Sequence, residues 1–327
     1  MRPGLARSAP EVAVDGAPVA HDAARRRMDA DTVECILCRS EAKVGRGTLA
    51  VADISRTWQQ KHGIDVARFF PTTSITNIVC SACGLDFYVP QSPGDSSLYA
   101  HLQRTSWYYE PAKWEFERAI AQIGVDDRYL EIGCGVGNFA GELVRAGRKH
   151  VHALDSNQDA LREAAAKGVR TFADAAAIGG AKFDVVATFQ VLEHVPDPID
   201  FLRFQKSLLA PGGRILLAVP NHDSFIGLDD ENELNQPPHH CSRFRKTTMR
   251  KIAELLGMQL ASLEEEPLAK RHVPWYVAAC GARAWRSPFE RFVGWRLLAP
   301  MQRLVLQLPF VRAKVPGHSL FAVYRLR

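Results

Sequence analysis

A chain of 327 residues has room for one large domain and a small accessory one, since domains typically run to ~100–200 residues. Its hydrophobic share of 46% and charged share of 24% are ordinary for a globular protein, which excludes wholesale disorder and a membrane-embedded body. The net charge of +5 is mild and carries no strong nucleic-acid signal, because a dedicated binder gathers a larger basic excess on one face.

The first segment, Met1–Ala30, mixes Ala, Pro, Arg and Asp without the apolar core of a signal peptide, and is expected to be a disordered leader. No run reaches the ~18 apolar residues of a spanning helix, so the default expectation is a cytoplasmic protein. Residues 31–105 contain two tight cysteine pairs, Cys35-x2-Cys38 and Cys80-x2-Cys83-Gly84, whereas Cys134, Cys241 and Cys280 are scattered. Each pair offers two thiolates to one tetrahedral ion, so this zinc-ribbon-like module is expected to hold a structural zinc in a reducing compartment, with disulfides or unliganded core cysteines as the alternatives. A closed site of four thiolates has no open position and is assigned no catalysis. The segment between the pairs is long for a compact ribbon and is expected to fold as an insert, with Trp58, Phe69 and Phe70 inside it.

Residues 106–327 follow as a second domain. The aromatic and charged stretch Trp107–Phe116 leads into apolar spacing that predicts a helix to about Ile123. From Arg128 strands and helices alternate: strands at Tyr129–Ile132, His150–Leu154, Val169–Ala173, Phe183–Phe189 and Arg214–Val219, with helices at Asn138–Ala146, Gln158–Lys167 and Asp200–Leu209. A helix is predicted at Thr248–Leu256, with Thr247 as N-cap and Gly257 as its stop, and strands at Gln259–Leu263 and Ser319–Arg325. The pattern reads as an α/β, Rossmann-like parallel sheet with helices on both faces. Between the last two strands lies a basic, apolar insertion at about 277–315.

Gly133, Gly135 and Gly137 stand at alternate positions between the first strand of this domain and its helix, where the backbone turns sharply and a ligand comes close. A dinucleotide fingerprint wants Gly-x-Gly-x-x-Gly, but Asn138 occupies the next place, and Glu131 ahead of the glycines repels phosphate while suiting a cationic amine or sulfonium. Asp155 ends the second strand, where a carboxylate takes the two hydroxyls of a ribose, and Asp174 ends the third, placed for an adenine amino group. The fourth strand ends in Gln190-Val191-Leu192-Glu193-His194-Val195 over the same pocket.

The order Leu-Glu-Ile-Gly-Cys-Gly-Val-Gly (residues 130–137), then Asp155, Asp174, Leu192-Glu193-His194-Val195 and Leu209-Ala210-Pro211-Gly212-Gly213 resembles the class I S-adenosylmethionine-dependent methyltransferases. Within them it is most similar to the small-molecule branch that includes ubiquinone-biosynthesis O-methyltransferases. The resemblance implies a seven-stranded sheet and S-adenosylmethionine as cofactor. It places Glu131, Gly133, Gly135 and Gly137 at the methionine end, Asp155 at the ribose, and Asp174 and Ala175 at the adenine, with Ser156 and Gln190 also among the cofactor-binding residues. The four-cysteine front end is similar to that of glycan-modifying and secondary-metabolite methyltransferases, although the additional C-terminal domain of the larger sugar C-methyltransferases has no counterpart here.

Methyl transfer needs alignment and, for a hydroxyl acceptor, a base; His194, His239 and His240 are the catalytic candidates because imidazole titrates near neutral pH. The last two sit in Asn235-Gln236-Pro237-Pro238-His239-His240, stiffened by its prolines, and Asn221 and His222 are further residues for the acceptor side. Structural hydrogen bonding is the competing role for all three histidines. The expected acceptor is a small molecule or glycan; the alternatives are an RNA or protein methyltransferase of the same fold, or a non-catalytic binding protein. From Gly281 to Arg327 only Glu290 is acidic among nine arginines and lysines and interleaved aromatic residues. This 281–315 segment is read as a lid, a dimer contact or a peripheral membrane contact.

Overall fold

The computed structural model describes residues 32–105, 108 and 110–327. The expected leader Met1–Ala30, and Trp107 and Tyr109 of the lead-in stretch, lie outside the described residues. The front part contains β1 (Thr32–Glu34), β2 (Glu41–Ala50), α1 (Val51–His62), β3 (Ser74–Val79), β4 (Asp86–Val89) and α2 (Ser96–Leu102). After α3 (Trp114–Ile120) the alternation begins: β5 (Arg128–Ile132), α4 (Asn138–Arg145), β6 (His150–Leu154), α5 (Gln158–Ala166), β7 (Arg170–Phe172), β8 (Phe183–Phe189), α6 (Pro198–Ser207) and β9 (Leu209–Pro220). There follow β10 (Ser242–Arg243), α7 (Lys246–Leu256), β11 (Gln259–Pro267), α8 (Val273–Ala284), α9 (Pro288–Val293), α10 (Ala299–Val305), α11 (Pro309–Arg312) and β12 (Pro316–Arg325).

The larger sheet has seven strands in the order β11-β12-β9-β8-β5-β6-β7. β12 runs antiparallel to both its neighbours, while β9-β8, β8-β5, β5-β6 and β6-β7 are parallel pairs. Helices cover both faces, so β8 and most of β9 are buried on both sides and read as nearly continuous apolar runs. Strand order reverses between β5 and β8, and the crevice at the carboxyl ends of these strands is where such sheets take ligands.

The folded insert between the cysteine pairs is built around α1, whose buried face is Val51, Ile54 and Trp58. Trp58 is wholly enclosed with Val66, Phe70, Ile75, Tyr88 and Leu98. The helix stops at Gly63, which adopts the left-handed conformation that releases the chain.

Several predicted boundaries are corrected by partners distant in sequence. α6 starts at Pro198, because Asp197 accepts the Asp200 N–H as its cap, and it ends at Ser207. Leu209 already pairs with Phe183, so Ala210–Gly213 bends within β9 instead of closing a helix. α7 begins at Lys246 and not after Thr247: Asp223, from the loop after β9, accepts the Lys246 N–H at 2.9 Å and pairs with Arg245 at 3.0 Å. β11 continues to Pro267 through an acidic run that read as a strand end. Glu264 pairs with Arg118, Glu265 with Lys246, and Glu266 accepts the Ser319 N–H at 3.0 Å. The insertion therefore occupies 268–315, starting nine residues before the expected 277.

The two parts share both a sheet and a core. β10, from the loop after β9, pairs antiparallel with β4 and completes the small sheet β1-β2-β3-β4-β10. Leu37, Ile78 and Phe87 of the front module lie in one hydrophobic cluster with Leu130, Leu217, Phe244 and Tyr324. At the joint sits a buried charge cluster: Asp86, 1% exposed, receives the Asn77 amide at 2.5 Å and lies 3.6 Å from Arg243 and 3.3 Å from His222. Burial opposes ionisation of Asp86, yet His222, Arg243 and Asn77 outweigh it and hold its carboxyl below the usual carboxylate range. Asp86→Ala would strand the Arg243 guanidinium in the interior and is expected to cost about 3–5 kcal/mol. Denaturant unfolding measures this, and a loss below ~1 kcal/mol would mean that the pair does not hold the joint.

Candidate active site

The glycine turn shapes one wall of a cavity of about 1590 Å³ at the carboxyl edge of the large sheet. Gly133 and Gly137 have φ of 76° and 68°, a region that favours glycine. A Cβ on Gly137 would lie 2.6 Å from the Ala164 side chain, so the turn also lets α4 and α5 approach. Asp155 ties this turn to the tip of β6: its carboxylate accepts the Gly135 N–H at 2.8 Å and the Asn157 N–H at 2.9 Å. Glu131, Gly133, Gly135, Asp155, Ser156, Asp174, Ala175 and Gln190 line the cavity; Gly137 braces the turn from behind. Asp174 is exposed and accepts the Ala177 N–H at 2.8 Å.

Glu131 is 4% exposed, and its carboxyl is pushed up to about 8 by burial, with the Asp155 charge adding and Lys113 opposing. A buried acid at a cavity wall that holds its proton near neutrality is a site where a cationic group gains a carboxylate by displacing that proton. Gln190 has a φ of 57°, uncommon for a residue with a side chain and costing on the order of 1 kcal/mol or more. Its amide donates to Glu115 at 3.0 Å and to Ser319 at 3.2 Å.

The three candidate histidines meet in the lining of the same cavity, with ring centroids 4.5–4.9 Å apart. His194 comes from the turn after β8, and His239 and His240 from the loop that returns over the cleft. That loop is held at several backbone points: Cys241 N–H to Glu193 O at 2.8 Å, Gly94 N–H to Pro238 O at 2.7 Å and Tyr88 N–H to Cys241 O at 3.2 Å. Arg243 donates to Asn235 O at 2.7 Å and to the Tyr88 hydroxyl, so the pair with Asp86 also fixes this loop. Both nitrogens of His239 are engaged, Nδ1 with Leu234 O at 2.9 Å and Nε2 with the Tyr108 hydroxyl at 3.2 Å. His194 Nδ1 lies 2.5 Å from His239 O, and His240 Nδ1 is 3.3 Å from the Asn235 amide oxygen. Nε2 of His194 and of His240 lie 3.8 Å and 3.9 Å from the same Glu193 oxygen. Burial drives His194 down to about 4 and His239 and His240 well below the usual imidazole range, so all three rings are neutral at pH 7.

Glu193 is a further site residue, beyond those the sequence singles out. It is 1% exposed, neither carboxyl oxygen has a hydrogen-bond partner among the described residues, and burial pushes it up to about 8. Its signal was an acid beside the histidine at a strand tip. Glu115, which also lines the cavity, comes from α3 and carries no sequence pattern that marks it. Asn221 and His222, in contrast, do not face the acceptor side. Asn221 donates to Glu265 at 2.7 Å and His222 sits against Asp86, because the chain turns inward after β9.

The second donor group is Cys35, Cys38, Cys80 and Cys83, whose sulfurs all lie within 4.8 Å of one another. Cys35 and Cys83 sulfurs are 3.6 Å apart and those of Cys38 and Cys80 3.5 Å, far longer than a disulfide bond and close to the edge of about 3.8 Å of a zinc–thiolate tetrahedron. The Cys83 thiol's hydrogen bond lowers the Cys35 thiol below the usual range against the opposing effect of burial.

A family profile described as "Methyltransferase domain" matches residues 103–263. The chain is 37% identical to a ubiquinone biosynthesis O-methyltransferase of Parvibaculum lavamentivorans over 122 residues, 32% of this chain and 48% of that one. It is 38% identical to the protein of the same description from a Caulobacter species over 134 residues, 35% of this chain and 53% of the relative. The counterpart from Ralstonia nicotianae is 26% identical over 216 residues, covering 57% and 90%. The match thus spans about half the length of the first two relatives. Among solved structures, a SAM-dependent methyltransferase from Archaeoglobus fulgidus aligns with 69% of this chain and 99% of its own, at 18% identity and a TM-score of 0.48. The profile match takes in the glycine turn, Asp155, Asp174 and the histidine after β8, so residues 103–263 of this chain carry the methyltransferase domain.

Proposed function

We propose that the chain transfers a methyl group from S-adenosylmethionine to a hydroxyl oxygen of a small-molecule or glycan acceptor. The observation that carries this reading is a single cavity whose lining includes both the glycine turn with Glu131, Asp155 and Asp174 and a histidine cluster around Glu193. When bound, S-adenosylmethionine supplies an electrophilic methyl on a sulfonium. Glu131 would pair with the cationic methionine end, Asp155 with the ribose hydroxyls, and Asp174 with Ala175 would meet the adenine. The neutral rings of His194 and His240, flanking the Glu193 carboxyl, would orient the acceptor hydroxyl and take up its proton. His239 would serve by positioning, since its two nitrogens are engaged. That the relatives are named as O-methyltransferases supports oxygen as the acceptor atom. Cys35, Cys38, Cys80 and Cys83 would hold a structural zinc, which the sulfur spacing fits.

The direct test incubates the protein with methyl-labelled S-adenosylmethionine and fractionated cell extract. Label is expected in small-molecule or glycan material, and His240→Ala should lower it by roughly 10²-fold or more without weakening cofactor affinity. Label confined to RNA or protein would overturn the acceptor class.

Glu131 predicts a pH dependence. Its carboxyl, at about 8 in the folded protein, stands above its ordinary 4.5. Between these values the unfolded chain has lost a proton that the folded chain keeps, so the stability of the ligand-free protein falls as pH rises. A bound cation expels that proton. Calorimetry in buffers of different ionisation enthalpy should show up to one proton released near pH 6.5 and affinity rising toward pH 8. Glu131→Gln should abolish the release and weaken binding by about tenfold; a wild-type affinity independent of pH would remove Glu131 from the cation site.

For the cysteines, elemental analysis is expected to find one zinc per chain, lost in Cys80→Ser/Cys83→Ser together with more than about 5 °C in Tm. Metal-free wild-type protein of unchanged Tm would refute a structural ion.

A further inference from the structure

The insertion between β11 and β12 has two faces of opposite character. Inward, Trp285 lies in a cluster with Val277, Ala299 and Leu306, packed so closely against Gly281 and Gly294 that a Cβ on either would collide with its indole. Outward, Phe289, Phe292, Leu297, Met301, Leu304 and Phe310 are each more than 60% exposed. These side chains are presented by an ordered framework: a Ser287–Glu290 capping box opens α9, and a π-helical turn at Gly294–Leu298 links it to α10. Large apolar groups held in solvent by a packed scaffold mark a contact surface, since folding gains nothing from them.

Charge selects the occupant. Seven cations, Arg283, Arg286, Arg291, Arg296, Arg303, Arg312 and Lys314, accompany these side chains over 283–314, against Glu290 alone, and that acid is spent on the capping box. A basic surface interleaved with protruding Phe, Leu and Met matches an anionic lipid interface, where apolar groups enter the acyl boundary and the cations meet phosphate headgroups. No helix among the described residues is long and apolar enough to cross a membrane, so the contact would lie on the surface. The same scaffold reaches the cavity: Trp275 at the start of α8 lines it, and α8 runs from there to the Trp285 pin, a distance of roughly 15 Å.

We propose that residues 283–314 dock the protein on an anionic lipid bilayer, bringing the side of the cavity lined by Trp275 close to the lipid surface. Docking stands on the exposed face alone and is independent of the methyl-transfer reading.

The test floats the full-length protein with vesicles of phosphatidylglycerol and phosphatidylcholine, and in parallel with phosphatidylcholine alone. Most of the protein is expected to float with the anionic vesicles and little with the neutral ones, with binding reduced severalfold between ~0.05 M and ~0.5 M salt. Arg283→Glu/Arg296→Glu/Arg303→Glu and Phe289→Ser/Leu304→Ser/Phe310→Ser should each cut vesicle binding at least tenfold. Both variants change exposed residues away from the cavity, so unchanged S-adenosylmethionine affinity and Tm confirm that they fold. Wild-type protein that stays unbound, or binds neutral vesicles equally, overturns the proposal. A dimer in sedimentation velocity that the apolar variant dissolves, with no vesicle binding, would assign the face to a second copy instead.

Discussion

The buried pair of Asp86 and Arg243 is the constraint on which the arrangement of this molecule rests. Two charges taken out of water are tolerable only when each has partners, and here the partners come from both parts of the chain: Asn77 and Tyr88 from the small sheet, His222 and Asn235 from the loops after β9. Satisfying the pair draws β10 onto β4 and sets the loop that carries His239 and His240. The thiolate cluster lies at the base of the same sheet, with Cys83 three positions before Asp86. Gly84 beside it packs so tightly on Thr247 that any side chain there would collide with α7. An ion in the cysteine site would therefore act on the active site through position, by stiffening the strand that holds Asp86.

Two acids of the cavity lining are kept from ionising. Burial pushes Glu131 and Glu193 to about 8, and outside the lining it pushes Glu266 to about 7 with Glu115 contributing. The facing imidazoles are neutral for the complementary reason, since burial disfavours their charged form as well. A cation entering beside Glu131 gains a carboxylate at the point of contact by displacing its proton. This is the electrostatic character that a sulfonium donor with an α-amino group requires, and it differs from the phosphate-seeking turns of dinucleotide folds, which have no use for an acid beside the glycines.

The insertion shows how one segment serves two purposes. Its glycines at 281 and 294 exist to seat the Trp285 indole, and the resulting fixed core allows the apolar exterior to be displayed without collapsing onto the domain. α8 joins this exterior to the cavity, which Trp275 at its start lines.

Local chemistry made much of this legible in advance. Alternation of apolar runs with glycine turns specified the strands and their parallel order, because a twisted sheet buried on both faces admits few other connections. The acids at strand tips and the two cysteine pairs could be read because each depends on spacing along the chain. Glu193, Glu115 and the anchoring of the loop by Asp86 could not. Their significance comes from burial and from neighbours far away in sequence, such as Asp86 and Arg243, 157 positions apart. The same holds for the helix start that Asp223 caps, for the strand that continues through Glu264–Glu266 once each acid finds a partner, and for His222, which looked like an acceptor-side residue and is held in the joint. Sequence determined which groups were available and the fold that carries them; tertiary structure decided which were taken out of water, and hence which are neutral, which are charged and which face the cavity.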